Sequence, residues 1–291
     1  MNRTIAYSAA ALLTAAALAG CTERKLSERP DDGPLIVNLV WPEETEAEGR
    51  AITGTDLYLY ASDGTLYKHI ECGTERHEER VPADTYIILA VNADCSNAAC
   101  DEEGDCDECC MRAEDDTDNK GALLHVDKVY CTGTDSVIVK RGNIPTEVTL
   151  YPQNVVKYLH FNLDPGYISR IAGMEVRMSG AVPSVYLMDG EDTGDPVRDI
   201  MATATEQADG TYEADMSVFG WRGENILTAT LTYDDGTQED TETVDISDEL
   251  GGLPDEGGEI DVTLTLPDGG EIELTVTVTP WQEGTGSGDV I

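Results

Sequence analysis

Apolar and polar positions alternate along most of this chain, and β-branched residues crowd the alternating stretches, as half-buried strands require. The pattern predicts strands over Leu35–Trp41, Thr55–Tyr60, Thr65–Ile70, Thr85–Val91, Val137–Lys140 and Glu147–Tyr151. A second set follows at Val155–Leu163, Gly173–Ser179, Thr211–Val218, Leu227–Tyr233, Thr237–Ile246, Glu259–Leu266 and Glu271–Thr279. Asp-Gly dipeptides punctuate both sets at Asp63-Gly64, Asp209-Gly210, Asp235-Gly236 and Asp268-Gly269, a strong short-range hairpin signal. Thr85–Val91 is continuously apolar, as a strand buried on both faces should be. No segment keeps a helical period over ten residues. The expected fold is all-β: two tandem β-sandwich domains with Greek-key connections, residues 35–152 and 153–291, joined near Tyr151–Asn154. A Cys-rich acidic insertion, residues 95–120, interrupts the first and is expected to be a loop.

The N-terminus has a different pattern. Residues 1–20 carry one cation, Arg3, then an apolar run that stops at Leu18-Ala19-Gly20-Cys21. This is a signal peptide, too short to remain as a membrane-spanning helix. Small residues before a cysteine form a lipobox, so cleavage before Cys21 and acylation of its sulfur are expected. Each buried methylene of an acyl chain is worth about 0.8 kcal/mol, so two or three chains hold nearly permanently. Thr22 rather than Asp follows, which favours the outer membrane. Residues 21–34 are polar, with Pro and Gly, and act as a flexible tether, of which the thirteen residues Thr22–Pro34 reach about 40 Å when extended. No later apolar run is long enough to span a bilayer.

Charge narrows the partners. The 291 residues hold 58 acids against 18 Lys and Arg, a formal charge of −40. Such a surface repels phosphate, which excludes nucleic acid, and it should also hold the body off an anionic membrane surface beyond a screening length of about 8 Å. Residues 101–118 contain ten acids and one base, and the chain has no Lys or Arg after Arg222. Trypsin-like proteases therefore have no site in the last 69 residues.

Eight cysteines occur. With Cys21 acylated, Cys72, Cys95, Cys100, Cys106, Cys109, Cys110 and Cys131 remain, an odd set. Export makes disulfides the expected state, but spacing does not give the connectivity. Cys106 and Cys109 have metal-ligand spacing, yet Cys95 and Cys100 make a poor second pair, so no zinc site is expected. Asp116, Asp118, Gly121 and Asp127 match a calcium loop only weakly, because Lys120 occupies a ligand position. The histidines are scattered, no nucleophile elbow or metalloprotease motif occurs, and neither an enzyme nor a cofactor is implied. Only Trp41, Trp221 and Trp281, besides tyrosines, are available for a sugar-binding face.

Several short motifs, in order, resemble the fimbrillin-associated lipoproteins of Bacteroidales, the minor-fimbrillin and fimbrial-anchor-like proteins. They are the lipobox at Cys21, Leu35-Ile-Val-Asn-Leu-Val-Trp41, Val81-Pro-Ala-Asp-Thr-Tyr86-Ile-Ile-Leu-Ala-Val-Asn92, Met178-Ser-Gly-Ala181, Val218-Phe-Gly220, Asn225-Ile-Leu227 and the closing Val-Thr-Val-Thr-Pro-Trp281. The likeness covers most of residues 21–281. It departs at Asp84, where that family has Gly, and in the Cys-rich insertion. The resemblance implies two transthyretin-like sandwiches and a role in pilus assembly, with fimbrial subunits as partners joined by strand exchange. Stalk subunits of that class lose their first strand to an Arg-specific protease, whereas anchors keep it and stay lipidated. Arg50 is the only base between Arg29 and Lys68, in a polar loop after the first strand, and is the candidate cleavage site. The glycine-rich residues 282–291 make a poor donor strand. The expectation is an uncleaved outer-membrane anchor or accessory subunit, with a glycan- or adhesin-type binding lipoprotein as the alternative.

Overall fold

A computed structural model of the chain describes residues 31–42, 51–101, 105–119, 121–254, 257–265 and 272–280. The first half contributes β1 (Asp32–Leu39), β2 (Thr55–Ala61), β3 (Leu66–Cys72), β4 (Arg76–Pro82), β5 (Thr85–Asn92), β6 (Ala98–Asp101), β7 (Cys110–Ala113), β8 (Ala122–Leu123), β9 (Tyr130–Gly133), β10 (Val137–Ile138), β11 (Thr146–Leu150) and β12 (Gln153–Asn154). The second contributes β13 (Lys157–Asp164), β14 (Ile171–Ala181), β15 (Ser184–Tyr186), β16 (Arg198–Glu206), β17 (Tyr212–Val218), β18 (Ile226–Tyr233), β19 (Gln238–Asp240), β20 (Val244–Asp245), β21 (Gly257–Thr265) and β22 (Glu273–Pro280). Among the described residues the sole α-helix is the four-residue α1 (Ser247–Leu250). The protein is all-β.

The Asp-Gly turns form as their chemistry dictates. In Asp63-Gly64-Thr65 the Asp63 carboxylate accepts the Thr65 amide at 3.1 Å and its hydroxyl at 2.6 Å. Gly64 supplies a φ of +85° that costs a glycine nothing. Asp209 with Thr211 and Asp235 with Thr237 repeat the arrangement. Asp268-Gly269 lies outside the described residues.

Two sheets enclose a smaller hydrophobic cluster. One has the order β11-β1-β4, the other β12-β9-β5-β2-β3 with β10 also on β5. Leu35, Val37 and Leu39 of β1, with Val81 and Leu150, meet Leu57, Leu59, Ile88 and Ala90 of β2 and β5. The opposite face of β2 and β5 is also covered: Tyr58, Tyr60, Leu89 and Val91 belong to a larger cluster. Double burial is why β5 is apolar without interruption.

The larger cluster fills the second half. The strand path is β19-β18-β14-β16-β17-β13-β21-β22. The inward residues of β14 and β18 (Met174, Val176, Met178, Leu227, Leu231) pack with those of β13, β17 and β21 (Leu159, Phe161, Met216, Ile260, Val262). β16 joins the two groups, pairing with β14 along most of its length and with β17 through Thr205 and Glu206.

The expected strand Thr237–Ile246 is broken into β19 and β20. Thr241 is buried and exchanges hydrogen bonds with Ala229, its hydroxyl accepting the Ala229 amide at 3.0 Å while its own amide donates to the Ala229 carbonyl. Glu242 then turns its amide to the carbonyl of Ile272, just before β22.

Candidate functional site

The acidic segment expected to be a loop is built into the core. Its β6 and β7 pair antiparallel, and β7 continues into β15 of the second half through Ser184–Arg112, Val185–Met111 and Tyr186–Cys110. β8 pairs in parallel with β16. The Leu187 amide donates to the Cys109 carbonyl at 3.0 Å, and the Val126 amide to Ser217 at 3.1 Å. Cys106, Cys109, Met111 and Ala113 are buried against the Tyr58 and Leu89 face of the first half. On that side the Cys106 amide reaches the Gly64 carbonyl. The segment is thus a clasp, hydrogen-bonded to both halves.

Polar side chains lock the clasp. Arg112 Nη1 lies 2.7 Å from Asp195 Oδ2. The buried Ser184 hydroxyl donates to the same oxygen at 2.8 Å and sits 2.6 Å from the Thr193 hydroxyl. Arg222 holds Asp192 at 2.8 Å and bonds the Asp195 carbonyl. The Ser184 hydroxyl, then Arg112, holds the Asp195 carboxyl below its ordinary range.

Among the described residues Cys72, Cys95, Cys100, Cys106, Cys109, Cys110 and Cys131 form no disulfide in the structure. Burial pushes Cys131 up to about 12 and, with Asp56 nearby, Cys72 up to about 11. Cys100 Sγ lies 3.8 Å from Cys109 Sγ. The weak calcium match does not assemble: Asp116 spends its carboxylate on the amides of Asp118 and Asn119 and on the Asn119 side chain. No group of metal-binding side chains occurs among the described residues.

The first strand is the other distinctive element. β1 is central in its sheet, parallel to β11 from Leu35–Thr146 to Leu39–Leu150 and antiparallel to β4 from Asp32–Pro82 to Asn38–Arg76. Both rows of main-chain groups are therefore used. Leu35, Val37 and Leu39 alternate into the core. At its start Arg80 pairs with Asp32 at 2.6 Å and Arg141 with Asp31 at 2.9 Å. Just past its end the Trp41 indole donates to the Thr74 carbonyl at 2.7 Å and meets Tyr130 edge-on. A vacated β1 position would present two strand edges and a row of alternating apolar pockets, the two features that strand addition uses. Cys21 and Arg50 lie outside the described residues.

Of the other candidate aromatics, Trp221 carries Lys157 over its ring at 5.2 Å, and Trp281 lies outside the described residues. A fully exposed tyrosine that sequence reading did not single out, Tyr167, rims an open cleft of about 550 Å³ between Asp164–Ile168 and Thr263–Thr265. The Pro165-Gly166 turn signal immediately before it is the local cue that it sits on the surface. No described helix is long and apolar enough to cross a membrane.

Comparison with known proteins gives a consistent picture. The profile of a family described as fimbrillin-A associated anchor proteins Mfa1 and Mfa2 matches residues 26–285. No curated protein sequence matches. A solved Bacteroides ovatus structure, described as a candidate adhesin, shares 15% identity, covers 90% of this chain and 99% of its own, and superposes with a TM-score of 0.65. The fimbrial anchor protein Mfa2 from Porphyromonas gingivalis shares 13% identity over 86% of this chain and 98% of its own, with a TM-score of 0.60. A Bacteroides thetaiotaomicron structure described as a candidate polysaccharide-binding protein shares 11% identity over 86% and 98%, with a TM-score of 0.58. At these identities the structures share a fold with this chain.

Proposed function

The chain belongs to the family of fimbrillin-A associated anchor proteins, a fimbrial or adhesin-type class of surface protein, and from that premise we propose that it is a non-enzymatic, lipid-anchored outer-membrane subunit that holds or caps a fimbria. In this reading Cys21 carries the acyl chains, residues 21–34 lead to the body, and the body has two sandwich domains. Fimbrial subunits join it by strand addition, with main-chain hydrogen bonds for affinity and alternate side-chain pockets for register. The observation that carries the reading is the family match over residues 26–285, together with a first strand seated on both edges. An uncleaved anchor would keep that strand.

Mass analysis of the N-terminus tests the maturation. A diacylated or triacylated start at Cys21 supports the anchor, whereas a start at Ala51 places cleavage at Arg50 and moves the protein to the stalk class. Detergent extraction and shear-isolated fimbriae test the role. The protein should travel with the fimbrial base, and its deletion should change fimbrial length or attachment. Unchanged fimbriae in the deletion strain reject the anchor role.

A second reading, a glycan-binding surface protein, is favoured by the exposed Tyr167 at its cleft. Soluble-glycan binding that is lost in Tyr167→Ala, Trp221→Ala or Trp281→Ala would support it.

A further inference from the structure

We propose that in the exported protein Cys100 and Cys109 are joined by a disulfide that staples the acidic clasp. Their Sγ atoms are 3.8 Å apart, against about 2.05 Å in a disulfide, so the two sulfurs must approach by roughly 1.8 Å. The strand register places them on one face. Cys100 of β6 faces Met111 of β7, and Cys109 lies two positions before Met111, hence diagonally across from Cys100. Cys106 instead has its Sγ 3.6 Å from Asp107 Oδ1, Cys110 is beside the Arg112 guanidinium at 3.9 Å, and Cys95 is 3.9 Å from the Ala98 carbonyl.

The staple has a mechanical reason. Six of the eight residues between the two cysteines are acidic and repel one another, so the hairpin connection has little intrinsic tendency to stay closed. Cys109 is also where the clasp takes the Leu187 amide of the second half. Tying it to Cys100 fixes the hairpin at the point of attachment.

The exposures of the two residues give the order of steps. Cys100 is partly exposed and Cys109 is buried. The Cys100 thiolate attacks the disulfide of a thiol–disulfide oxidoreductase, the oxidant class of an exporting cell's oxidising compartment. A mixed disulfide forms and one oxidant thiolate leaves. The Cys109 thiolate then attacks Cys100 Sγ and displaces the second. Two protons pass from the chain's thiols to the two leaving thiolates, and the electron pair reduces the oxidant to its dithiol.

The inference requires export alone and is independent of the anchor role. The test uses full-length protein recovered from the native cell envelope, with free thiols blocked by iodoacetamide under denaturing conditions. Digestion with a protease cutting at Asp and Glu divides residues 101–108, where trypsin has no site. The expected result is a Cys100–Cys109 linked peptide pair that separates on reduction, with both cysteines unblocked beforehand. Cys100→Ser should leave Cys109 fully blocked by iodoacetamide, while Cys110→Ser should leave the linkage intact. Complete blocking of Cys100 and Cys109 in the wild-type protein, or a link from either to Cys106 or Cys110, overturns the proposal.

Discussion

Leu35→Ala measures how firmly the first strand is held. Leu35 is 2% exposed and sits in the smaller cluster, with its main chain opposite Thr146 on β11 and Glu79 on β4. The substitution leaves both ladders intact and removes three carbons, about 2.4 kcal/mol of transfer free energy at ~0.8 kcal/mol each. The sandwich closes only partly around the gap, so a cavity contribution brings the expected loss to about 3–4 kcal/mol. Trp41, two residues past β1, is a built-in reporter through its bond to Thr74 and its contact with Tyr130. Urea unfolding followed by Trp41 fluorescence, in a Trp221→Phe, Trp281→Phe background, should show the midpoint falling by about 1–4 M for a slope of ~1–3 kcal/mol/M. Amides of β4 and β11 should exchange hydrogen faster at the same time. Val40→Ala, at a position 48% exposed, is the control and should move stability by less than about 0.5 kcal/mol. A Leu35→Ala loss no larger than the control's would mean that β1 is not anchored by its core face.

Further expectations concern the thiols, the clasp and a strand contact. Cys131, pushed up to about 12 by burial and neighbouring Asp189, should resist alkylation at pH 8 in the folded protein and react on unfolding, because its thiolate fraction is roughly 10⁻⁴ against about a quarter for an ordinary thiol. Rapid labelling of the folded protein at Cys131 would contradict this. Asp195 has a folded value below its unfolded one because of Ser184 and Arg112, so its stabilisation is present above the unfolded carboxylate range and is lost as pH falls through the folded value. Asp195→Asn should therefore shrink the acid-induced loss of stability below about pH 4, read by calorimetry. Gly257 has φ +114° and lies opposite Tyr158, whose carbonyl oxygen would be 1.7 Å from an added Cβ. Gly257→Ala should cost about 3 kcal/mol or more, read by thermal unfolding.

The elements legible in the sequence were those whose inward side chains are large. β1, β2, β5, β13 and β21 place Leu, Ile, Val or Phe toward a core, and their pattern survives any outer face. β16 obeys the same alternation, but its inward positions are Ile200, Ala202 and Ala204. Two alanines among polar residues raise no apolar signal. β4 has one buried side chain, Val81, and its outward charges serve as partners: Glu79 for Lys68, Arg80 for Asp32. Edge position makes a strand polar on its open side, so the strand that completes the β1 slot resembles a loop. The other wall, β11, lies over a hundred residues away and pairs in parallel, a contact that no local pattern encodes.

The clasp was misread for a related reason. Of the acids in this segment, Asp101, Asp105, Asp107, Glu108, Glu114, Asp115 and Asp118 are exposed, and charge on the face turned to water says nothing about the face turned inward. There Cys106, Cys109, Met111 and Ala113 are buried, and each is a residue that sequence arithmetic assigns elsewhere: cysteine to bridges or metals, methionine and alanine to anything. Cys106 and Cys109 act here as small apolar side chains, filling the space between Tyr58, Tyr60 and Leu89 of one half and Val185 and Leu187 of the other. Packing and oxidation are compatible at Cys109, because its buried sulfur already lies against that of Cys100. The same residues thus explain why a segment this acidic folds at all and why the Cys100–Cys109 contact sits at the seam.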